Sequence, residues 1–501
     1  MRMIPYSLKT GDIGKQNGRI NPLRATHGAM MSVIDAHYFA LMSAHTHSAE
    51  QYFIAANQAM ASGERTQAEQ LFLQALHADP ACAEAMANLA YLKTQLRQYD
   101  VAGDYYRQAL GLLPDNVQIR LNFGALLMLQ YRFDEAEKNY RQALQIAPVS
   151  AAGWSNLGVL LASTQREAEA EECYRNALLC DPAYQKASFN LSYILLKQGR
   201  YEEGWQRLEA RAQDAVLNTY FHFPRWQGEA LSGKRILIAY EGGFGDMMQF
   251  CRYVCLLKAA GATSVSLVCH PPLTRLMRSL HDIDEIYSYE DDVPHSGWDY
   301  WVLPMSLPFL CQTRLHTIPA HLPYLYADPT HSVSLPGLAP DARLRVGLVW
   351  QGNHLFDNDA ARSIVTPDIL HPLSAISDVQ FTSLQKGATD EQLRALQVQL
   401  PIIDAAPLLH DFADTAALIQ QLDLVISVDT AVAHLTAAMA KPCWVLLPYY
   451  QPDWRWLSKR TDSPWYPEVM RLFRQPAMHD WASVIAEVVP ALNSLQKQNP
   501  A

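Results

Sequence analysis

From residue 49 to residue 184, apolar side chains recur three and four positions apart, and the pattern itself repeats. Prolines stand at positions 80, 114, 148 and 182 and divide this stretch into repeats 49–82, 83–116, 117–150 and 151–184. Ala68, Ala102, Ala136 and Ala170 occupy one register position, Phe72, Tyr106, Tyr140 and Tyr174 a second, and Ala75, Ala109, Ala143 and Ala177 a third. The fourth repeat adds Trp154, Leu157, Gly158 and Leu161. A helical period renewed every 34 residues predicts paired helices stacked as a solenoid. The alanines let the two helices of a pair approach, the aromatic fills the gap toward the next repeat, and proline ends the second helix. A degenerate fifth repeat is expected at 185–218, with Leu191, Leu195, Gly204 and Leu208 in phase and no closing proline. It would cap the array and join it to the C-terminal half of the chain.

Beyond it the period changes. Short runs rich in β-branched residues predict buried strands at Arg235–Tyr240, Ser264–His270, Glu285–Tyr289 and Tyr300–Leu303. The proline-bearing stretch Pro319–Pro340 reads as a linker. A second series follows at Arg345–Trp350, Val379–Leu384, Pro401–Ile403, Leu424–Val428, Cys443–Leu447 and Arg471–Phe473. Helical segments alternate with these runs; one extends to about Ala260, and the last, about Trp481–Leu495, is kinked or broken at Pro490. The expected organisation is an extension at 1–48, partly disordered, a helical array at 49–218, and two Rossmann-like α/β halves at 219–330 and 341–501.

Composition narrows the function classes. The 501 residues suffice for about three domains, and 49% hydrophobic with 18% charged residues gives each a core. A net charge of −10 argues against nucleic acid as a partner and against a polybasic membrane anchor. No apolar run is long enough for a transmembrane segment, and the N-terminus lacks the pattern of a secretion signal. The eight cysteines contain no Cys-x-x-Cys pair and read as free thiols, so a cytoplasmic setting is expected.

The candidate chemistry lies at strand ends. Leu424–Val428, the turn Asp429-Thr430, the small-residue helix from Ala431 and the strand Cys443–Leu447 form one βαβ unit. Asp429 or Thr430 can cap that helix, and the N–H groups of Ala431, Val432 and Ala433 point outward at its positive end. His434 lies one turn in, on the face of Thr430. Such a turn suits a diphosphate; an ordinary capped helix with a satisfied histidine fits the spacing too. In the first half, Gly242-Gly-Phe-Gly-Asp246 follows the first strand. It is not Gly-x-Gly-x-x-Gly, and the second strand ends in Cys269-His270 without an acidic ribose ligand, which argues against a dinucleotide cofactor. Gly242, Gly243 and Gly245 let the loop pass close to an acceptor, and Asp246 is placed either as a base at the cleft or as a helix cap.

Trp350 ends the first strand of the second half, Arg362 follows its loop, and Lys386 follows the second strand. Lys386 and Arg362 are the cations best placed to offset a diphosphate leaving group, or are surface charges. The aromatic segments Tyr449–Trp456 and Asp462–Pro467 either overhang the cleft or fill a domain interface. Asp282-Ile-Asp284 imitates a metal-binding Asp-x-Asp but lies far in sequence from the 429–434 turn; no metal and no cofactor are expected. Asn88, Asn122, Asn156 and Asn190 recur on the first helix of each pair, where they hydrogen-bond an extended peptide backbone in the groove or satisfy neighbouring turns.

The phased repeats follow the tetratricopeptide pattern. The segment Asp429-Thr-Ala-Val-Ala-His-Leu-Thr-Ala-Ala438 resembles the Asp-Thr-x-x-x-His-Leu-Thr-Ala-Ala segment of the ADP-heptose:lipopolysaccharide heptosyltransferases, glycosyltransferase family nine, and Gly245-Asp246 matches that family's Gly-Asp. The resemblance implies an α helical-repeat (tetratricopeptide, TPR) solenoid followed by an α/β GT-B fold of two Rossmann-like domains. The architecture is also similar to that of the O-linked N-acetylglucosamine transferases. Implied roles are Asp246 as catalytic base, and Asp429, Thr430, the 431–433 amides and His434 as holders of the donor's sugar and diphosphate. Related repeat-bearing transferases carry a lysine where Asp357 stands here, a departure that puts one phosphate contact in doubt. The expectation is thus an inverting, metal-independent glycosyltransferase using a nucleotide sugar, with a protein or peptide acceptor in the repeat groove. A glycan or lipid-linked saccharide acceptor is the alternative, and a non-catalytic scaffold with a degenerate GT-B part is the second hypothesis.

Overall fold

The computed structural model describes residues 48–211, 217, 219–337, 344–355 and 358–498. The expected N-terminal extension, apart from Ser48, and Asp357 lie outside the described residues. The chain forms two compact units, residues 48–162 with 166–187, and residues 163–165 with 188–498.

The first unit is built from helices α1 (48–61), α2 (Arg65–Ala78), α3 (Ala83–Gln95), α4 (Tyr99–Leu112), α5 (Val117–Leu129), α6 (Phe133–Ile146), α7 (Ala151–Ser163) and α8 (Glu167–Cys180). Pro80, Pro114, Pro148 and Pro182 each stand two residues past the second helix of a pair, as the loss of a backbone donor requires. The turn inside each pair places a residue in the left-handed region: Gly63, Arg97, Tyr131 and Gln165 at φ 80°, 59°, 58° and 65°. Phe72, Tyr106, Tyr140 and Tyr174 are fully buried. Their setting differs in part from expectation. A Cβ on Gly124 would lie 2.9 Å from Tyr140 Cδ1, and one on Gly158 would lie 2.6 Å from Tyr174 Cε1. These tyrosines therefore fill space left by glycine in their own repeat. Tyr106 does meet Phe123 of the next repeat, with ring centroids 5.8 Å apart.

The second unit holds most of α9 (Gln185–Lys197), all of α10 (Tyr201–Leu208) and two parallel sheets. The degenerate fifth helix pair thus packs mainly with the sheets. Trp205 of α10 donates through Nε1 to the Thr313 carbonyl at 2.9 Å. Arg211, just past α10, pairs with Glu241 at 2.6 Å, both side chains being almost fully buried.

The first sheet comprises β1 (Arg235–Ile238), β2 (Ser264–Cys269), β3 (Glu285–Ser288) and β4 (Tyr300–Val302), in the order β3-β2-β1-β4. The second comprises β5 (Leu344–Val349), β6 (Val379–Ser383), β7 (Ile402–Asp404), β8 (Leu424–Val428), β9 (Cys443–Leu447) and β10 (Met470–Arg474), in the order β10-β9-β8-β5-β6-β7. Every pairing is parallel. A helical-repeat array followed by two Rossmann-like sheets is the architecture expected of a GT-B protein.

Two details depart from expectation. The helix expected to reach about Ala260 is divided into α11 (Phe244–Phe250), a 3-10 turn at Cys251–Tyr253 and a short helix Val254–Ala259. The last helix, α12 (Trp481–Gln498), runs through Pro490 without a break. Trp481, Val484, Ile485, Val488 and Leu492 anchor it in the second sheet's core, and that burial outweighs the one backbone bond proline removes.

Candidate active site

The strand order fixes where ligands can bind. In open parallel sheets, the crevice lies at the carboxyl ends of strands whose neighbours are reached in opposite directions. β1 has β2 on one side and β4 on the other; β5 has β6 on one side and β8 on the other. The loop Glu241–Asp246 follows β1, and the turn Asp429-Thr430 follows β8, next to β5. Both segments singled out in the sequence therefore fall at a switch point.

The turn after β8 leads into α13 (Ala431–Ala438). Thr430 is the N-cap by position, with φ −139° and ψ 170°, but its side chain makes no cap bond. Its hydroxyl lies 2.9 Å from Ser427 Oγ instead. The Ala433 N–H bonds only the Thr430 carbonyl, at 3.2 Å, so the first amides of α13 are not taken by a side-chain cap. Arg362 approaches the turn directly: it donates from Nη1 to the Asp429 carbonyl at 3.3 Å and from Nε to Asp359 Oδ1 at 3.0 Å. Gly352 makes room, since any Cβ there would collide with the Arg362 guanidinium.

The loop after β1 leads into α11, which packs on α13. A Cβ on Gly245 would stand 2.8 Å from His434 Cδ2, so glycine lets the loop touch the histidine. Gly242 has φ +71°, and a Cβ there would strike Asp246, so two demands meet at that glycine. Asp246 accepts from the Gly243 N–H at 2.7 Å through Oδ2, and from Arg455 Nη2 through Oδ1. Burial raises its pKa, while the Arg455 guanidinium and the Gly243 N–H lower it. It thus serves as a cap within α11 and stands beside the Asp429–His434 turn as well.

Arg455 is a residue that sequence reasoning passed over. It is 4% exposed and, besides Asp246, donates to both oxygens of Asp453, at 3.0 and 3.1 Å, and to Gln249 Oε1. Its guanidinium lies 4.6 Å from the Trp454 ring centroid. The signal was present, because an arginine inside Asp453-Trp-Arg-Trp456 must be paired if the tryptophans are buried. They are: Trp454, Trp456 and Trp465 are 1% exposed or less, so these rings fill the interior and do not overhang the cleft.

His434 is stacked on Trp456, centroids 5.2 Å apart at 25°, and its Nδ1 lies 2.8 Å from the Tyr466 hydroxyl. Burial, helped by Arg455, pushes its pKa down to about 4, so the ring is neutral near pH 7. Two other candidates are placed less directly. Trp350 is buried in the second sheet's core, and what it offers at the strand end is backbone, its N–H going to Gln385 Oε1 at 3.0 Å. Lys386 is exposed and donates to the Leu409 carbonyl. Asp284 of the Asp-x-Asp pair is bound to Lys258 at 2.7 Å, and no cluster fit to hold a metal occurs among the described residues. In the repeats, Asn88 donates to Asn57 Oδ1 at 2.7 Å and Asn122 accepts from Gln118 at 2.9 Å. Asn190 is buried and Asn156 half-buried.

The chain joins tetratricopeptide repeats to a C-terminal segment that matches glycosyltransferase family 9. The family model described as glycosyltransferase family 9 (heptosyltransferase) matches residues 378–452, which run from β6 through β9 and include the Asp429–His434 turn. The tetratricopeptide repeat model matches 55–117, 123–183 and 168–216. Protein FlbA of Caulobacter vibrioides is 29% identical over 327 residues, 60% of this chain and 53% of its own length. The chain therefore spans about half the length of the curated relative it matches. Among solved structures, Pseudomonas aeruginosa PilF is 24% identical with TM-score 0.32 over 34% of this chain and 78% of its own. A thermophilic tetratricopeptide protein of Thermus thermophilus is 20% identical with TM-score 0.31, over 34% of this chain and 95% of its own. No helix among the described residues is long and apolar enough to cross a membrane.

Proposed function

We propose that the C-terminal unit is an inverting, metal-independent glycosyltransferase that moves a sugar from a nucleotide-sugar donor to a polypeptide acceptor bound by the repeats. The observation that carries the reading is the contact of α11 with α13, which sets Asp246 beside the Asp429–His434 turn through the Gly245–His434 approach. Asp246 would accept the proton of the acceptor hydroxyl as its oxygen attacks the anomeric carbon. The bond from that carbon to the diphosphate breaks in the same step, and the leaving diphosphate takes the electron pair. Asp429 would hold the sugar, and the 431–433 amides, Thr430 and His434 would hold the diphosphate, with Arg362 and Lys386 supplying positive charge. The repeats favour a polypeptide over a glycan because stacked helical repeats form an extended concave surface that suits an extended chain.

The first measurement is a thermal-shift screen against nucleotide sugars. A donor at about 100 times its dissociation constant should add ~2.7 kcal/mol of apparent stability. His434→Ala should lose the shift. With that donor, Asp246→Asn should slow sugar transfer or donor hydrolysis by ~10²–10⁴ while still binding. Turnover within threefold of wild type would remove Asp246 as the base. One observation favours the second reading, a non-catalytic scaffold that senses a nucleotide sugar: both Asp246 oxygens are already engaged, by the Gly243 N–H and by Arg455. Donor binding without turnover, with a cell extract as acceptor source, would decide for that reading.

A further inference from the structure

We infer that Tyr466 is a positioning residue: its hydroxyl donates to Nδ1 of His434 and thereby presents Nε2–H on the side of the Glu241–Asp246 loop, into the space between that loop and the Asp429-Thr430 turn. The inference rests on the nucleotide-sugar reading of the site given above.

The imidazole is fixed on three sides. Trp456 stacks on its face, Gly245 lies against its edge, and the Tyr466 hydroxyl stands 2.8 Å from Nδ1. A Cβ on Gly245 would be 3.4 Å from Nε2, which places that nitrogen on the side of the Glu241–Asp246 loop. The ring's hydrogen bond is made at Nδ1. The ring is 5% exposed, and the charged groups facing it are Asp246, Asp429, Asp453 and Arg455. Since the ring is neutral, one nitrogen carries the hydrogen, and the partner of Nδ1 decides which.

The surroundings of Tyr466 orient its hydroxyl. The Arg252 guanidinium lies 4.7 Å from the Tyr466 ring centroid, and its Nη2 donates to the Tyr324 hydroxyl at 2.8 Å. Tyr324 in turn donates to the Met248 carbonyl at 3.0 Å. The Tyr324 hydroxyl, which hydrogen-bonds that of Tyr466, and the Arg252 guanidinium together favour the lone pairs of Tyr466 facing that side and its hydrogen facing His434. Burial raises the Tyr466 pKa, so the hydroxyl keeps its hydrogen. A histidine held this way gives a diphosphate oxygen a directional bond without itself carrying charge. The charge of the leaving group then falls to Arg362 and the helix amides.

The full-length chain labelled with 15N at histidine tests this. Two-bond 1H–15N spectra distinguish the tautomers, and His434→Gln identifies the His434 signals by their loss. The expected wild-type pattern is protonated Nε2 and bare Nδ1. Tyr466→Phe, which keeps the ring, should convert His434 to the other tautomer or a mixture. It should also weaken binding of ADP, UDP, GDP or CDP, whichever the wild type binds, by about tenfold or more. An Nδ1–H pattern in the wild type overturns the inference, and that spectrum decides even if the variant fails to fold. A converted tautomer with unchanged diphosphate affinity overturns the positioning role. A wild type that binds none of the four diphosphates removes the nucleotide-sugar reading, while the spectrum still judges the hydrogen bond.

Discussion

The repeat array and the C-terminal unit bury different kinds of side chain. In the array the large buried groups are Phe72, Tyr106, Tyr140 and Tyr174, and Tyr140 and Tyr174 fill spaces left by a glycine. In the C-terminal unit they include the guanidinium groups of Arg211, Arg252 and Arg455, each 4% exposed or less. Packing of an aromatic ring over a small residue is local and repeats with the sequence. A buried guanidinium has to find its carboxylates, carbonyls or ring faces wherever the chain brings them, and it leaves them unpaired if it is removed. The array is thus held by complementary size, whereas the candidate site is held by charges matched across the two sheets' loops.

The sharpest way to break that contrast is at Arg455. Arg455→Met leaves Asp246 and Asp453 buried without their cation and should destabilise the C-terminal unit by ~3–5 kcal/mol. Trp154 is the single tryptophan of residues 48–187, so urea unfolding followed by tryptophan fluorescence reports mainly on the C-terminal unit. Adding Asp246→Asn and Asp453→Asn should recover part of the loss. A cost below about 1 kcal/mol would mean that the ion cluster does not hold this unit together.

A second effect is pH dependence from His434. Its folded-state pKa is depressed to about 4 from the ordinary 6.5. As pH falls, the unfolded chain takes up the proton first, so stability is lost progressively from about pH 6.5 down to about pH 4. The whole window corresponds to ~3 kcal/mol, at 1.36 kcal/mol for each pH unit between the two values. His434→Gln should lack this component, and comparing the two proteins' urea unfolding at pH 7 and pH 4.5 isolates it. Parallel pH dependences would show that the ring is not held neutral by burial.

The same contrast explains what could be read from the sequence. Leu424–Val428 and Cys443–Leu447 have the observed ends because central strands of a parallel sheet are apolar on both faces and stop at polar turns. The repeats were legible because every contact recurs at one spacing. The Asp429–His434 turn and the Glu241–Asp246 loop were legible as local motifs. Their contact was not, and neither were the distant partners of Arg455, since Asp246 and Gln249 are 209 and 206 residues away. The aromatic stretch around it gave composition but no direction, so its burial was one of two open readings. Pro490 misled for a related reason: a local rule predicts a break, and the tertiary burial of Trp481, Val484 and Leu492 overrides it.

The smallest effect probes the array through two glycines with opposite expectations. Gly111 lies in α4 with nothing within 4 Å of a Cβ placed on it. Gly111→Ala should therefore stabilise the array by ~0.5–1 kcal/mol, the helix-propensity gain of alanine over glycine. Gly124 in α5 receives the same gain, but its Cβ would sit 2.9 Å from Cδ1 of Tyr140, a ring that is fully buried and cannot swing away. Overpacking of this kind costs ~1–3 kcal/mol. The balance for Gly124→Ala should be a net loss of ~0.5–2 kcal/mol, the overpacking cost less the propensity gain. Hydrogen exchange of peptides covering α4 to α6 reads both variants in the region where the change is made. Opposite signs would establish that ring-over-glycine packing, and not helix propensity, sets stability in the array. If both variants stabilise, Tyr140 has room to move and the size-complementarity half of the comparison fails.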